Sequence, residues 1–142
     1  MILKPVMSSI TPSLTEVHAF VSDPDQGPVV MLNLLKFRER AIGEEGSGAD
    51  AYRRYGDAVI KMIEARGGRV IWSGRPTRVL VGSDADHWDA VALVEYPSPR
   101  AFVEMATSAE YQKIHHHREA GLESTVLIAC HAVPNLLAGQ VS

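Results

Sequence analysis

The chain has 142 residues, with 14 Lys and Arg against 17 Asp and Glu, for a formal net charge of −3. That balance supplies no basic field for nucleic acid or an anionic membrane surface, and no run approaches the ~18 apolar residues of a membrane span. The single cysteine, Cys130, excludes an intrachain disulfide and a thiolate metal cluster, and its apolar neighbours predict a small buried hydrophobe. Met1 to Ile10 lacks the continuous apolar core of a signal peptide, so a cytoplasmic location is expected.

Thr11-Pro12 reads as a helix start, with the threonine hydroxyl as cap and proline at the first helical position. Leu14, Val17, His18 and Val21 follow at helical spacing, and the run from Ser22 to Pro28 turns the chain. Val29 to Phe37 is a strand, apolar on both faces and interrupted by Asn33. Arg38 to Gly48, charged and glycine-rich, predicts a mobile surface loop. Asp50 to Arg66 is a helix whose apolar stripe is Tyr52, Tyr55, Val59, Met62 and Ile63, ended by Gly67-Gly68. Arg69 to Arg75 is a strand, continued by Thr77 to Gly82 after a break at Pro76. Trp88 to Tyr96 is a further strand, again apolar on both faces. Ser98-Pro99 opens a helical region, Ser108 caps a second segment over Ala109 to Ala120, and Thr125 to Val133 is the last strand.

The order is an extra N-terminal helix followed by β-α-β-β-α-β. It predicts an α+β, ferredoxin-like domain: a four-stranded antiparallel sheet with its helices on one face. The expected division is an N-terminal helical extension over 1–27, the domain over 28–133 and a loosely held tail over 134–142. Strands apolar on both faces require the helix-free face to be covered, because bare apolar area costs about 25 cal/mol per Å² in water. A second copy stacked sheet on sheet meets that requirement, giving a homodimer of the α+β barrel type.

The run Val91-Ala92-Leu93-Val94-Glu95-Tyr96-Pro97-Ser98, then Ala101-Phe102, then Ser108-Ala109-Glu110-Tyr111-Gln112 with Arg118 downstream, resembles the uncharacterised DUF1330 family. Gly67 to Gly74 is similar to that family's second strand, and the resemblance spans about residues 28–132. It implies the dimeric α+β barrel fold and brings no assigned reaction. A looser similarity links Tyr96, Ser98, Phe102, Ser108 and His115 to antibiotic-biosynthesis monooxygenase-like proteins, including heme-degrading ones. Asn33 lies where those enzymes carry a functional asparagine, and Met105 stands in place of their tryptophan. This similarity makes heme an alternative to the expected absence of any cofactor.

Three groups of residues can carry chemistry. Tyr111, His115 and Arg118 share one helical stripe, where a phenol, an imidazole and a guanidinium can hold an acidic or carbonyl-bearing ligand, with His115 as acid or base. The same stripe can equally be packing plus a surface ion pair. Asn33 needs hydrogen bonds in an apolar strand, from a pocket ligand, a water or a backbone group. Tyr52, Tyr55, Trp72, Trp88 and Tyr96 are core aromatics whose polar tips also suit a cavity. Glu95, on a face with Val91 and Leu93, calls for an arginine partner, Arg75 or Arg78, or else is an acid of raised pKa. His115-His116-His117 is not a three-histidine metal site, since successive helical side chains diverge by ~100°, and no metal is expected. No phosphate-binding glycine motif is present. The expected ligand site is Asn33, Tyr55, Trp72, Tyr111 and Arg118 around a catalytic His115. The expected function is binding of a small organic or aromatic compound, with cofactor-independent monooxygenase- or isomerase-like activity. A non-catalytic ligand-binding protein or a structural dimer is the alternative.

Overall fold

The structure, a computed structural model, describes residues 10–137. The sequence expectations for residues 1–9 and for 138–142 at the end of the tail lie outside the described residues. The elements run α1 (Leu14–Val21), β1 (Val29–Phe37), α2 (Gly48–Ala65), β2 (Arg69–Gly74), a single helical turn at Asp84–Asp86, β3 (Ala90–Tyr96), α3 (Pro99–Ala106), α4 (Ala109–Gly121) and β4 (Leu122–Cys130). The sheet order is β2-β3-β1-β4 with every neighbouring pair antiparallel. This is the ferredoxin-like α+β arrangement expected from the strand and helix order.

Local chemistry sets the helix ends. Ser98 caps α3 through the Ala101 N–H, with Pro99 first in the helix, and Ser108 caps α4 through the Tyr111 N–H. Ser47 and Asp50 cap α2 reciprocally, so this helix starts earlier than its apolar stripe suggests. At its other end Gly67 takes a positive φ of 82°, a conformation open to glycine at little cost. The cap of α1 is Ser13, whose side chain accepts from the Glu16 N–H, and not Thr11. That helix packs on α3, with Phe20 edge-on to Phe102 at 5.8 Å.

The core lies between the sheet and the helices. Val29, Met31, Val94 and Tyr96 on the strands meet Tyr55, Val59 and Ile63 of α2, Met105 of α3 and Tyr111 of α4. At one end, α2 and α4 approach so closely that a Cβ on Gly48 would sit 2.6 Å from the Gly121 carbonyl.

Elsewhere the structure departs from the sequence expectations. Thr77 to Gly82 forms no strand: the chain leaves the sheet at Gly74 and exposes Leu80 and Val81. The loop from Arg38 to Gly48 is tied down, by Ile42 N–H to the Ala120 carbonyl and Arg38 N–H to that of Gly121. Glu95 pairs with Arg69 at 3.1 Å, its cross-strand neighbour, and not with Arg75 or Arg78. Cys130 is exposed, on the side of β4 that carries no helices.

Alternation divides the sheet into two faces. Asn33, Ala92 and Leu127 are register partners facing the helices, and one residue along, Leu32, Leu93 and Ile128 are partners on the outer face. Trp72 pairs with Leu93 and extends the outer row to the edge strand. The register shift between Val70 and Trp72 puts it there. One inserted residue reverses the alternation of a strand, so Trp72 points outward and is 56% exposed.

Candidate functional site

A cavity of about 300 Å³ opens between the inner sheet face and the helices, a size at the low end of small-molecule sites. Its floor is Met31, Asn33, Ala92, Val94, Tyr96 and Leu127. Tyr52 and Tyr55 from α2, Met105 from α3, and Tyr111, His115 and Arg118 from α4 form its walls. Thr11, Leu14 and Val17 close it from the N-terminal side.

Asn33, Tyr55, Tyr111, His115 and Arg118 thus come together around one space. Trp72 does not join them, because the β2 bulge turns it to the other face. Nothing local in the sequence marks Thr11, Leu14 or Val17 as lining residues, since α1 reaches the cavity through its packing on α3.

Asn33 donates its side-chain amide to the carbonyls of Met31 at 3.2 Å and Ala92 at 3.4 Å. Backbone acceptors therefore satisfy its nitrogen, and its carbonyl oxygen is the acceptor left for the cavity. The Tyr55 and Tyr111 hydroxyls share a hydrogen bond of 2.8 Å. Aromatic rings run in contact from Phe37 through Tyr52, Tyr55 and Tyr111 to His115, with centroid spacings of 5.2 to 6.0 Å. Burial pushes the Tyr52 phenol up to about 12 and raises Tyr55, Tyr96 and Tyr111 above their ordinary value. All four are neutral hydroxyls at neutral pH, able to donate or accept.

His115 sits at the wall with Nε2 3.3 Å from the Thr11 hydroxyl and Nδ1 3.5 Å from Glu119. Burial lowers its pKa, the adjacent Arg118 charge acts in the same direction, and Glu119 opposes them. The imidazole is therefore neutral at neutral pH, with Thr11 and Glu119 at its two nitrogens. Arg118 is 6% exposed and donates to the Ile10 carbonyl.

His116 and His117 do not face this cavity. Their ligand atoms and a Glu44 oxygen lie within 4.8 Å of one another, so two of the three successive histidines can share an ion with Glu44. That carboxylate is already engaged, by His117 Nδ1 at 2.7 Å and Arg54 at 3.0 Å. The arrangement is an ion-pair cluster tying the 38–48 loop to α2 and α4. No helix among the described residues is long and apolar enough to cross a membrane.

The family model described as "Domain of unknown function (DUF1330)" matches residues 46–131, from the cap of α2 to just past β4. No curated protein matches the chain. Among solved structures, the chain is similar to the RPA0582 protein of unknown function from Rhodopseudomonas palustris, at 38% identity and TM-score 0.82 over 87% of this chain and 96% of that one. A structure of the methylated RPA0582 protein aligns at 36% identity and TM-score 0.84, over 91% of this chain and 98% of that one. A dabb family protein with a ferredoxin-like fold from Mesorhizobium loti shares the fold alone, at 13% identity and TM-score 0.52 over 76% of this chain and 99% of that one.

Proposed function

The chain belongs to the DUF1330 family, a family of unknown function, and from the cavity its ferredoxin-like fold encloses we propose that it binds a small organic or aromatic compound there. One observation carries this reading: an apolar, aromatic-walled space into which Asn33, Tyr111, His115 and Arg118 converge. A space kept only for packing would be filled by side chains, because interiors pack to crystal-like density. A few convergent polar groups on apolar walls are what a ligand site needs.

As an enzyme, the protein would work without a cofactor on an activated substrate, in a monooxygenase- or isomerase-like reaction. Neutral His115 would take or return the proton, with Asn33 and Arg118 holding polar groups of the substrate. A binding-only role has its own support, since Thr11 and Glu119 already occupy both nitrogens of His115. Thermal-shift screening of a small-molecule library against the native protein and His115→Ala tests both. Binding is expected in each, and turnover only in the native protein. A library without a hit contradicts the cavity reading, and binding by both proteins with turnover by neither selects the binding-only role. A bound-heme Soret spectrum on heme titration would overturn the cofactor-free reading.

The outer face supports a homodimer through the sheet. Trp72, Leu93, Leu32 and Ile128 form an apolar row across all four strands with no covering element among the described residues. Leu80 and Val81 add exposed apolar surface in the segment that leaves β2. A single unpaired cysteine fits a reducing, cytoplasmic setting.

A further inference from the structure

Arg118 differs from the arginines at the surface, of which Arg100, itself exposed, donates to the Val21 carbonyl. Arg53, Arg54 and Arg69 each pair with a carboxylate at 3.0 to 3.1 Å, and their side chains are at least 42% exposed. Arg118 is 6% exposed, and among the described residues no carboxylate lies within ion-pair distance of it. Its neighbour in sequence, Glu119, turns away to His115. What the guanidinium holds is the backbone carbonyl of Ile10, a neutral acceptor on the segment that closes the cavity. A buried cation is expensive unless an anion compensates it, and a guanidinium fork matches a carboxylate with two parallel hydrogen bonds.

We propose that Arg118 is a carboxylate anchor, that the cavity's ligand is a small organic acid with an apolar or aromatic body, and that the Ile10 carbonyl occupies the anchor until the acid displaces it. The proposal rests on the cavity being a ligand site and adds the ligand's charge and its competition with the N-terminal segment. The geometry orders the ligand. The carboxylate meets Arg118 beneath Ile10 and Thr11, while the body extends along Tyr55, Tyr111 and the sheet floor. Entry of the acid frees the Ile10 carbonyl and brings a negative group beside the Thr11 hydroxyl and His115.

The test is calorimetric titration of the full chain at pH 7.5 with benzoate, phenylacetate and 3-phenylpropionate, each beside its uncharged primary amide. At least one acid is expected to bind tenfold or more tightly than its amide. Arg118→Gln should remove that preference while leaving amide binding in place. If Arg118→Gln does not fold, the acid-to-amide ratio of the native protein decides alone. The amide resonance of Thr11 should shift with the acid and stay in place with the amide. Acid and amide binding equally would overturn the anchor and leave the cavity reading standing. If no acid and no amide binds, both fail together.

Discussion

The two faces of the sheet are built from the same strands by alternation, reversed in β2 at the bulge before Trp72, and they end in different surroundings. On the inner face Asn33, Ala92 and Leu127 stand side by side beneath helices that bring phenols, an imidazole and a guanidinium over them. On the outer face the neighbouring row, Trp72, Leu93, Leu32 and Ile128, is apolar from edge to edge, and Arg69 and Glu95 pair with each other across β2 and β3. An apolar surface with converging polar groups suits a small ligand, whereas a flat apolar row suits another sheet. Apolar character alone therefore does not separate a binding site from an interface. What separates them is the set of polar groups that the fold aims at each.

The largest expected effect falls on the outer face. Leu32→Asp puts a charge at the centre of the apolar row and should convert a dimer, of twice the 15.5 kDa chain mass, to monomer by light scattering, with ligand binding retained. A native protein already monomeric at micromolar concentration would contradict a covered outer face. Next comes Met105→Ala on the inner side, where the residue is 2% exposed and lines the cavity. Loss of its side chain should cost about 2–3 kcal/mol in denaturant unfolding while the dimer survives. Tyr55→Phe removes the hydroxyl shared with Tyr111 and should cost about 1 kcal/mol, read as a fall of about 3 °C in Tm.

A smaller effect is the pH dependence carried by His115. Its pKa is lower in the folded chain than the ordinary 6.5, so the unfolded chain binds the proton more readily. Stability from this group is complete above about pH 6.5 and falls as the pH drops toward the folded value. His115→Gln should flatten that acid-side slope in urea titrations at pH 5 to 7. Trp72→Phe should leave ligand affinity unchanged, because the indole faces away from the cavity.

Much of this contrast was legible in the sequence, for physical reasons. β1 was read with its observed bounds because its apolar run ends in turn residues. The Ser98 and Ser108 caps were read because side-chain capping is a local interaction. The stripe of Tyr111, His115 and Arg118 was read from helical periodicity, and these residues do share a wall. What escaped depended on contacts distant in sequence. The β2 bulge is a matter of pairing with β3, and it alone moved Trp72 from the expected site to the outer face. The approach of Tyr55 to Tyr111, the cover from Thr11 and Leu14, and the Arg69 partner of Glu95 arise from folding. The capping box of Ser47 and Asp50 is a local pattern, masked by the glycines at 46 and 48, which signal irregular backbone.

On the proposed function, the inner face of the sheet, and not the outer, receives the ligand. Methyl-resolved NMR of the full chain with 3-phenylpropionate addresses it directly, because Ala92 and Leu127 report one face while Leu32, Leu93 and Ile128 report the other. Intermolecular contacts from the probe's ring to the Ala92 and Leu127 methyls, with the outer-row methyls silent, are the predicted result. Contacts confined to Leu32, Leu93 and Ile128 would contradict the account.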